Sequence, residues 1–424
     1  MQNINTAVLK DQAQKMVKEN ILPFWRNMID KEHGGFYGEA DFSGKINKTA
    51  DKGGVLNSRI LWTFSAAYRL FKDESYKACA DHAFDFLKNA FYDNEHGGVY
   101  WLVDYKGKPL QTRKQFYNIA FAVYALSEYY FAFDNNPSRK ISQALEIALK
   151  LFETLETHGR DLKVGGYIEA RVRDWKDIDD FRLSGKDLNS PKSMNTNLHV
   201  LEAYTTLARA ASENGRKGES GKTHNGKRAP AGKEPLADLL RVTLDKIVNH
   251  DHHFKLFFDM DWNSLSNDVS YGHDIEGSWL MYEAALASGD ENLINEVKQT
   301  AVSIAEAIHA KALDYNDGKL ENGGLFSGVN EEGKLLTKKE WWPQAEAVAG
   351  FYNAYELSGG QKYLDAAFGI WEYIQKYFKD SARGEWHNEL FADNTPDDKM
   401  PKAGFWKCPY HNARACFELI KRIN

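Results

Sequence analysis

Apolar residues recur at helical spacing in twelve stretches of this chain, and the stretches are of two alternating kinds. Residues 59–71, 117–133, 197–211, 277–288, 345–357 and 411–423 are apolar nearly all round. Residues 7–25, 76–91, 140–156, 237–248, 294–313 and 364–378 carry a single apolar stripe. A helix apolar on every side is a buried one, and a striped helix covers a core from outside. The pattern predicts an inner ring of six helices inside an outer ring of six.

A shorter motif marks the joints. "EHGGFYGEAD" begins at Glu32, "EHGGVYWLVD" at Glu95, "KVGGYIEAR" at Lys163 and "ENGGLFSGV" at Glu321, with a degenerate "ARGEWHNEL" at Ala382. "HHFKLFFDMDW" at His252 takes the remaining slot without the glycines. The period is about 65 residues, which makes six units. Twelve alternating helices in six units predict an all-α fold, an (α/α)6 barrel of twelve helices. Short β-hairpins and loops at one rim supply the Gly-Gly segments. An open helical array is the alternative, but it needs polar end caps that the sequence lacks. Residues 1–424 read as a single catalytic domain. One stretch breaks the pattern: "SENGRKGESGKTHNGKRAPAGKEP" (212–235) is nearly free of apolar residues and reads as a polar loop insertion.

Composition narrows the function. The net charge of −6 carries no basic face for nucleic acid. No apolar run reaches the length of a membrane span, and the N-terminus lacks the apolar region of a signal peptide. Three cysteines (Cys79, Cys408, Cys416) suit a reducing compartment, so a cytoplasmic location is expected. Aromatic residues make up 13%, with 11 Trp and 21 Tyr, a supply of flat faces that suits both a core and sugar stacking.

Polar groups intrude at the starts of the inner helices. "LNSRILW" offers Asn57 and Arg59, "KQFYNIA" offers Tyr117 and Asn118, and "MNTNLHVLEAY" offers Asn195, His199 and Glu202. "GHDIEGSW" offers His273, Asp274 and Glu276. "WWPQAEA" offers Trp341, Trp342, Gln344 and Glu346, and "FWKCPYHNARA" offers Trp406, Lys407, Tyr410, His411 and Arg414. If all six inner helices start at one rim, these groups converge in one pocket. His199 with Glu202, and His273 with Glu276, are pairs three residues apart on one helix face. Such pairs either bind a metal or serve as imidazoles oriented by carboxylates. There is no H-E-x-x-H or Cys/His cluster, so a metal-free site is expected. No nucleotide loop and no G-x-S-x-G occurs either. Histidines near neutral pKa on opposite faces of one substrate carbon remove a proton from one side and return it to the other. A fixed cation such as Arg59 stabilises the enediolate between.

At these motifs the chain resembles the N-acylglucosamine 2-epimerase superfamily, in its cellobiose and mannose 2-epimerase branch. The matching stretches are "LNSRILWTFSAAYRL", "QFYNIAFAVYALSEYY", "MNTNLHVLEAYT", "SYGHDIEGSWLM", "WWPQAEAVAGFYNAY" and "KCPYHNARACFEL". The resemblance implies the (α/α)6 barrel and epimerisation at C2 of a reducing-end sugar without a cofactor. His273 and His411 match the two acid/base histidines, and His199 a third that opens the ring and holds the sugar. Arg59, Tyr117, Asn195, Glu276, Trp342 and Trp406 match substrate-contacting positions. Glu276 is expected to keep His273 basic. The 212–235 insertion tips the expected substrate towards D-mannose and D-glucose, with a cellobiose or mannobiose 2-epimerase as the alternative. Aldose–ketose isomerisation through the same enediolate, glycoside hydrolysis by Glu276 and Glu346, and a binding protein are the further readings.

Overall fold

The computed structural model describes residues 6–133, 138–217 and 232–423, with side chains described only to 211 in the middle segment. The six inner helices are Gly54–Phe71, Phe116–Phe133, Met194–Lys217, Tyr271–Ser288, Trp341–Ser358 and Tyr410–Arg422. The six outer ones run over 6–27, 74–91, 139–159, 233–247, 291–311 and 361–378. Each inner helix packs on the next, and the sixth returns to the first, so the ring closes. The chain ends are tied as well: Lys10 Nζ donates to the Ile423 carbonyl at 2.6 Å.

The two sequence classes separate as their patterns demand. In the second inner helix every residue except Phe131 is buried. The outer helix that begins at Arg139 buries one stripe: Ile141, Ala144, Leu145, Ala148, Leu151 and Phe152. Four of the outer rods end in a wider, π-helical turn, as at Leu87–Phe91, which directs the chain into the rim, and the first carries its π-helical turn, Met16–Ile21, within the rod.

The rim is built from the Gly-Gly segments. Gly34 and Gly35 sit at φ +83° and +65°, a left-handed pair that glycine adopts at no steric cost. A Cβ on Gly35 would come within 2.4 Å of the Phe86 ring. The strands are two or three residues long and join neighbouring units. Lys52 pairs in antiparallel register with Val103, Lys114 with Arg171, Lys192 with Phe258, Ser270 with Gly328 and Lys339 with Leu390. An Ala40–Ala403 bridge closes the circle between first and last units.

A buried ion pair fastens most units at this rim. Lys52 holds Asp30 at 2.7 Å, Lys114 holds Asp93 at 2.8 Å, Lys192 holds Asp161 at 2.7 Å, and Lys339 holds Asp314 at 2.6 Å. In the last unit Lys402 holds Asp380 at 2.7 Å. The aspartate also caps its own turn: Asp30 Oδ1 accepts the N–H groups of Glu32 and His33 at 3.0 Å. One oxygen fixes the Gly-Gly turn while the other fixes the lysine just before an inner helix.

The insertion expected at 212–235 lies, over 218–231, outside the described residues. Its flanks join the C-terminal end of an inner helix to the start of an outer one, at the rim opposite the hairpins. Among the described residues no helix is long and apolar enough to cross a membrane.

Candidate active site

All six inner helices start at the hairpin rim, so their first turns surround one cavity of about 560 Å³. Arg59, Tyr117, Asn195, His199, His273, Glu276, Trp342, Trp406 and His411 all line it. Helical closure brings together residues drawn from six units of the chain. Trp342 packs against two imidazoles, its ring centroid 4.7 Å from that of His273 and 5.6 Å from that of His411. Those two spans bound the distance between the histidines. His199 packs against Tyr117 and Phe121 at 5.0 and 4.7 Å.

Each imidazole has its own anchor. His199 Nδ1 lies 2.9 Å from Glu202 Oε2, the partner that its spacing predicted. His411 Nδ1 donates to Glu346 Oε1 at 2.7 Å. Glu346 also accepts from Arg414 at 2.6 Å and from the Trp279 indole at 3.1 Å, so it is the acceptor here. The proton on Nδ1 leaves His411 Nε2 with a lone pair. His273 differs from the expectation: its Nδ1 meets Ser270 Oγ at 2.9 Å, and Ser270 is also the N-cap of its helix.

Glu276 therefore does not partner His273. It accepts from Arg414 at 2.5 Å and lies 3.7 Å from His411 Nδ1. The reason is rotational: residues at i and i+3 share a helix face only approximately, and Arg414 from the facing helix supplies a stronger donor. Arg414 is the hub of the site's floor, bonded to Glu202, Glu276 and Glu346 and to the Tyr410 hydroxyl. Three buried carboxylates share one guanidinium, which balances only one of their charges. The consequences follow from charge and burial. Burial and the neighbouring Glu346 push Glu276 up to about 7. Burial also works to raise Glu202, but Arg414 and His199 outweigh it and hold the carboxyl at about 2. Burial, with the His199 charge adding to it, lowers His273 to about 3. Burial and the cations Arg59 and Arg414 push His411 well below the usual imidazole range.

Glu276, Glu346 and His411 offer ligand atoms all within 4.8 Å of one another, a spacing that fits a metal ion. Arg414 already donates to both of those carboxylates, and a cation there would have to displace it.

Arg59 is the opposite case. It is 3% exposed, donates to the Tyr117 hydroxyl at 2.7 Å and lies over the Phe121 and Tyr410 rings at 4.2 and 4.9 Å. Among the described residues no carboxylate pairs with it. A buried cation that lacks an anion and lines a cavity is placed to receive one.

Several polar residues flagged at the helix starts turn out to build the scaffold. Asn57 donates to the Gly53 carbonyl and Asn118 to that of Tyr100, both at 2.9 Å. Gln344 bonds both the N–H and the carbonyl of Leu325. Lys407 lines the cavity but donates to Glu385 at 2.5 Å. Leu183, Lys186, Asp187, Asn388 and Phe405 also line the mouth and were missed in the sequence. They lie on irregular loops, where no periodicity gives a signal.

A closed helical barrel with imidazoles, an unpaired guanidinium and tryptophans around one rim-side cavity is a carbohydrate-modifying enzyme. The chain matches the family described as N-acylglucosamine 2-epimerase (GlcNAc 2-epimerase) over residues 35–415. It belongs to that family and is a sugar 2-epimerase, an isomerase. It is 42% identical over 416 residues to a cellobiose 2-epimerase of Bacteroides fragilis, covering 97% of this chain and 99% of the relative. The solved structure of the cellobiose 2-epimerase from Bacillus thermoamylovorans B4167 superposes with a TM-score of 0.88 at 38% identity, covering 98% of this chain and 100% of that one. A D-mannose isomerase of Marinomonas mediterranea is more distant, 24% identical over 421 residues with 96% of each chain covered.

Proposed function

We propose that the chain inverts C2 of the reducing-end glucose unit of cellobiose, reversibly, to give the mannose-ended disaccharide. The relatives named cellobiose 2-epimerase support this substrate. The cavity supports it as well, since besides the imidazoles it is lined by Trp406, Phe405, Lys186 and Asp187, which offer further surface to a second sugar. The preference for a monosaccharide rested on the 212–235 insertion, whose described flanks leave from the far rim.

The observation that carries the mechanism is that His273 and His411 line one cavity and both pack against Trp342, at ring-centroid distances of 4.7 and 5.6 Å. The C2–H bond becomes acidic only beside a free C1 aldehyde, so the ring opens first, and His199 serves that step. One of the two histidines takes the C2 proton and becomes an imidazolium. The C2–H electrons move into the C1–C2 bond, and the aldehyde oxygen takes the negative charge beside Arg59. The other histidine enters as the imidazolium and gives its proton to the opposite face of C2, ending neutral. Burial lowers both imidazoles in the free enzyme, so the imidazolium forms where the enediolate's negative charge lies beside it. Hydrolysis is disfavoured because Glu276 and Glu346 are held together by Arg414 rather than set across a glycosidic bond.

The test is turnover of cellobiose in deuterium oxide, read by NMR. Product labelled at C2 is expected, and unlabelled product removes the two-histidine mechanism. Mannose run in parallel reports the monosaccharide reading, and a ketose product marks proton delivery to C1 instead.

A further inference from the structure

The unit that leads into the His273 helix fastens itself differently from its siblings. In four units a lysine two residues before the inner helix reaches an aspartate on the Gly-Gly turn, and in the last unit Lys402, further upstream, does so. Before the Tyr271–Ser288 helix that lysine position is occupied by Val269, which lines the catalytic cavity. Asn249 takes over the capping duty on the turn, accepting the N–H groups of Asp251 and His253 at 2.9 Å. The acid and the base of the buried pair trade places. The acid, Asp274, is on the helix, and the base, His253, is on the turn, with Nδ1 2.8 Å from Asp274 Oδ2. The Phe254 N–H donates to the other oxygen at 2.7 Å.

A third group settles the ring's state. Lys311, at the exposed end of the fifth outer helix, places Nζ 3.2 Å from His253 Nε2. An ammonium has only protons to give, so Nε2 is the acceptor and Nδ1 carries the hydrogen that goes to Asp274. Lysine, imidazole and carboxylate thus form one directional chain. The groups facing the ring are Asp274 and Tyr271 from its own inner helix, Lys311 from the outer helix and Asn249 from the turn. Asp274 is fully buried, and burial pushes its carboxyl up, while His253, the Phe254 N–H and Lys311 work against that rise.

We propose that His253 is a positioning residue for His273: through Asp274, the next residue, it fixes the first turn of the helix that presents the catalytic imidazole. The inverted pair clamps that turn without a cation in the cavity wall at position 269. This inference rests on the epimerase reading of His273.

The test compares His253→Leu with the double variant His253→Leu/Asp274→Leu, using full-length enzyme. The single variant strands a buried carboxylate and is expected to lose both stability and kcat, the latter by about ten- to a hundredfold. KM for cellobiose should change less than about twofold. The double variant removes the stranded charge, so its thermal midpoint should recover while kcat stays low. Recovery of kcat along with stability would mean that the pair only holds the fold, and would overturn the proposal. A second readout follows the proton. His273 serves one face of C2, so the primary isotope effect with C2-deuterated substrate should rise for one epimer of the pair and not for the other. Equal change in both overturns the role at His273. C2 labelling by the wild-type enzyme in deuterium oxide separately checks the reading on which this rests.

Discussion

Arg414 donates to Glu276 at 2.5 Å, from the sixth inner helix to the fourth, and by doing so takes that carboxylate away from His273. The same guanidinium bonds Glu346, the anchor of His411. One buried cation therefore sets the charge balance of the cavity floor.

Replacing Arg414 by Met should destabilise the fold strongly. Glu202, Glu276 and Glu346 would be left buried without their cation, and breaking a buried pair from one side costs about 3–5 kcal/mol. Urea unfolding at neutral pH measures this. The loss should shrink in Arg414→Met/Glu276→Gln, which removes one of the stranded charges.

Arg59→Met should behave in the reverse way. Among the described residues Arg59 has no carboxylate partner to strand, so the unfolding midpoint should hold or rise. The activity should fall, since a lost oxyanion stabiliser costs about 10²–10³ in kcat. Steady-state kinetics alongside a melting curve separates the two effects.

His273→Asn and His411→Asn should each abolish turnover while circular dichroism stays unchanged. Activity retained by either variant removes that residue from the proton transfer.

Stability should fall on the acid side. His273 binds its proton near 3 in the folded chain and near 6.5 when unfolded, so between those values the unfolded state holds more protons. Stability present above about pH 6.5 is lost as the pH drops towards 3. The slope from this residue is at most about 1.4 kcal/mol per pH unit, less what cavity water returns. Glu276 acts in the opposite sense. Its carboxyl stays protonated up to about 7 when folded, so its contribution declines as the pH rises from the ordinary carboxylate range to about 7. Urea midpoints at pH 5 and pH 7 for wild type and His273→Asn check the first effect: the variant should show a shallower acid loss.

The rim lysines should rank by their aspartates' other partners. Lys52 is the one cation on Asp30 among the described ion pairs, whereas Asp93 keeps Arg173 at 2.9 Å if Lys114 is removed. Lys52→Met should therefore cost about 3–5 kcal/mol and Lys114→Met less. Thermal midpoints of the two variants decide the order.

The helices and their ring order were legible because burial all round and burial on one stripe leave different periodicities, as the 117–133 and 140–156 stretches show. Most residues that line the cavity were legible for a related reason: a buried helix start that carries His273 or Arg59 breaks an apolar pattern and stands out. Asn57, Asn118 and Gln344 broke the same pattern for backbone hydrogen bonding alone, so the signal marks polarity without separating its two uses. The loop residues Leu183, Asp187 and Asn388 carry no period and escaped.

The sequence by itself determined twelve helices, six units, one polar rim and the identity of the imidazoles, because periodicity and helix starts are local properties of the chain. Which carboxylate serves which histidine was decided only in the tertiary structure. Glu346 went to His411, Glu276 to Arg414 and Ser270 to His273, because these partners come from different helices or turn on side-chain rotation. Hydrogen bonds in a low-dielectric interior are won by the donor that the packing brings nearest, and spacing along one helix does not encode that.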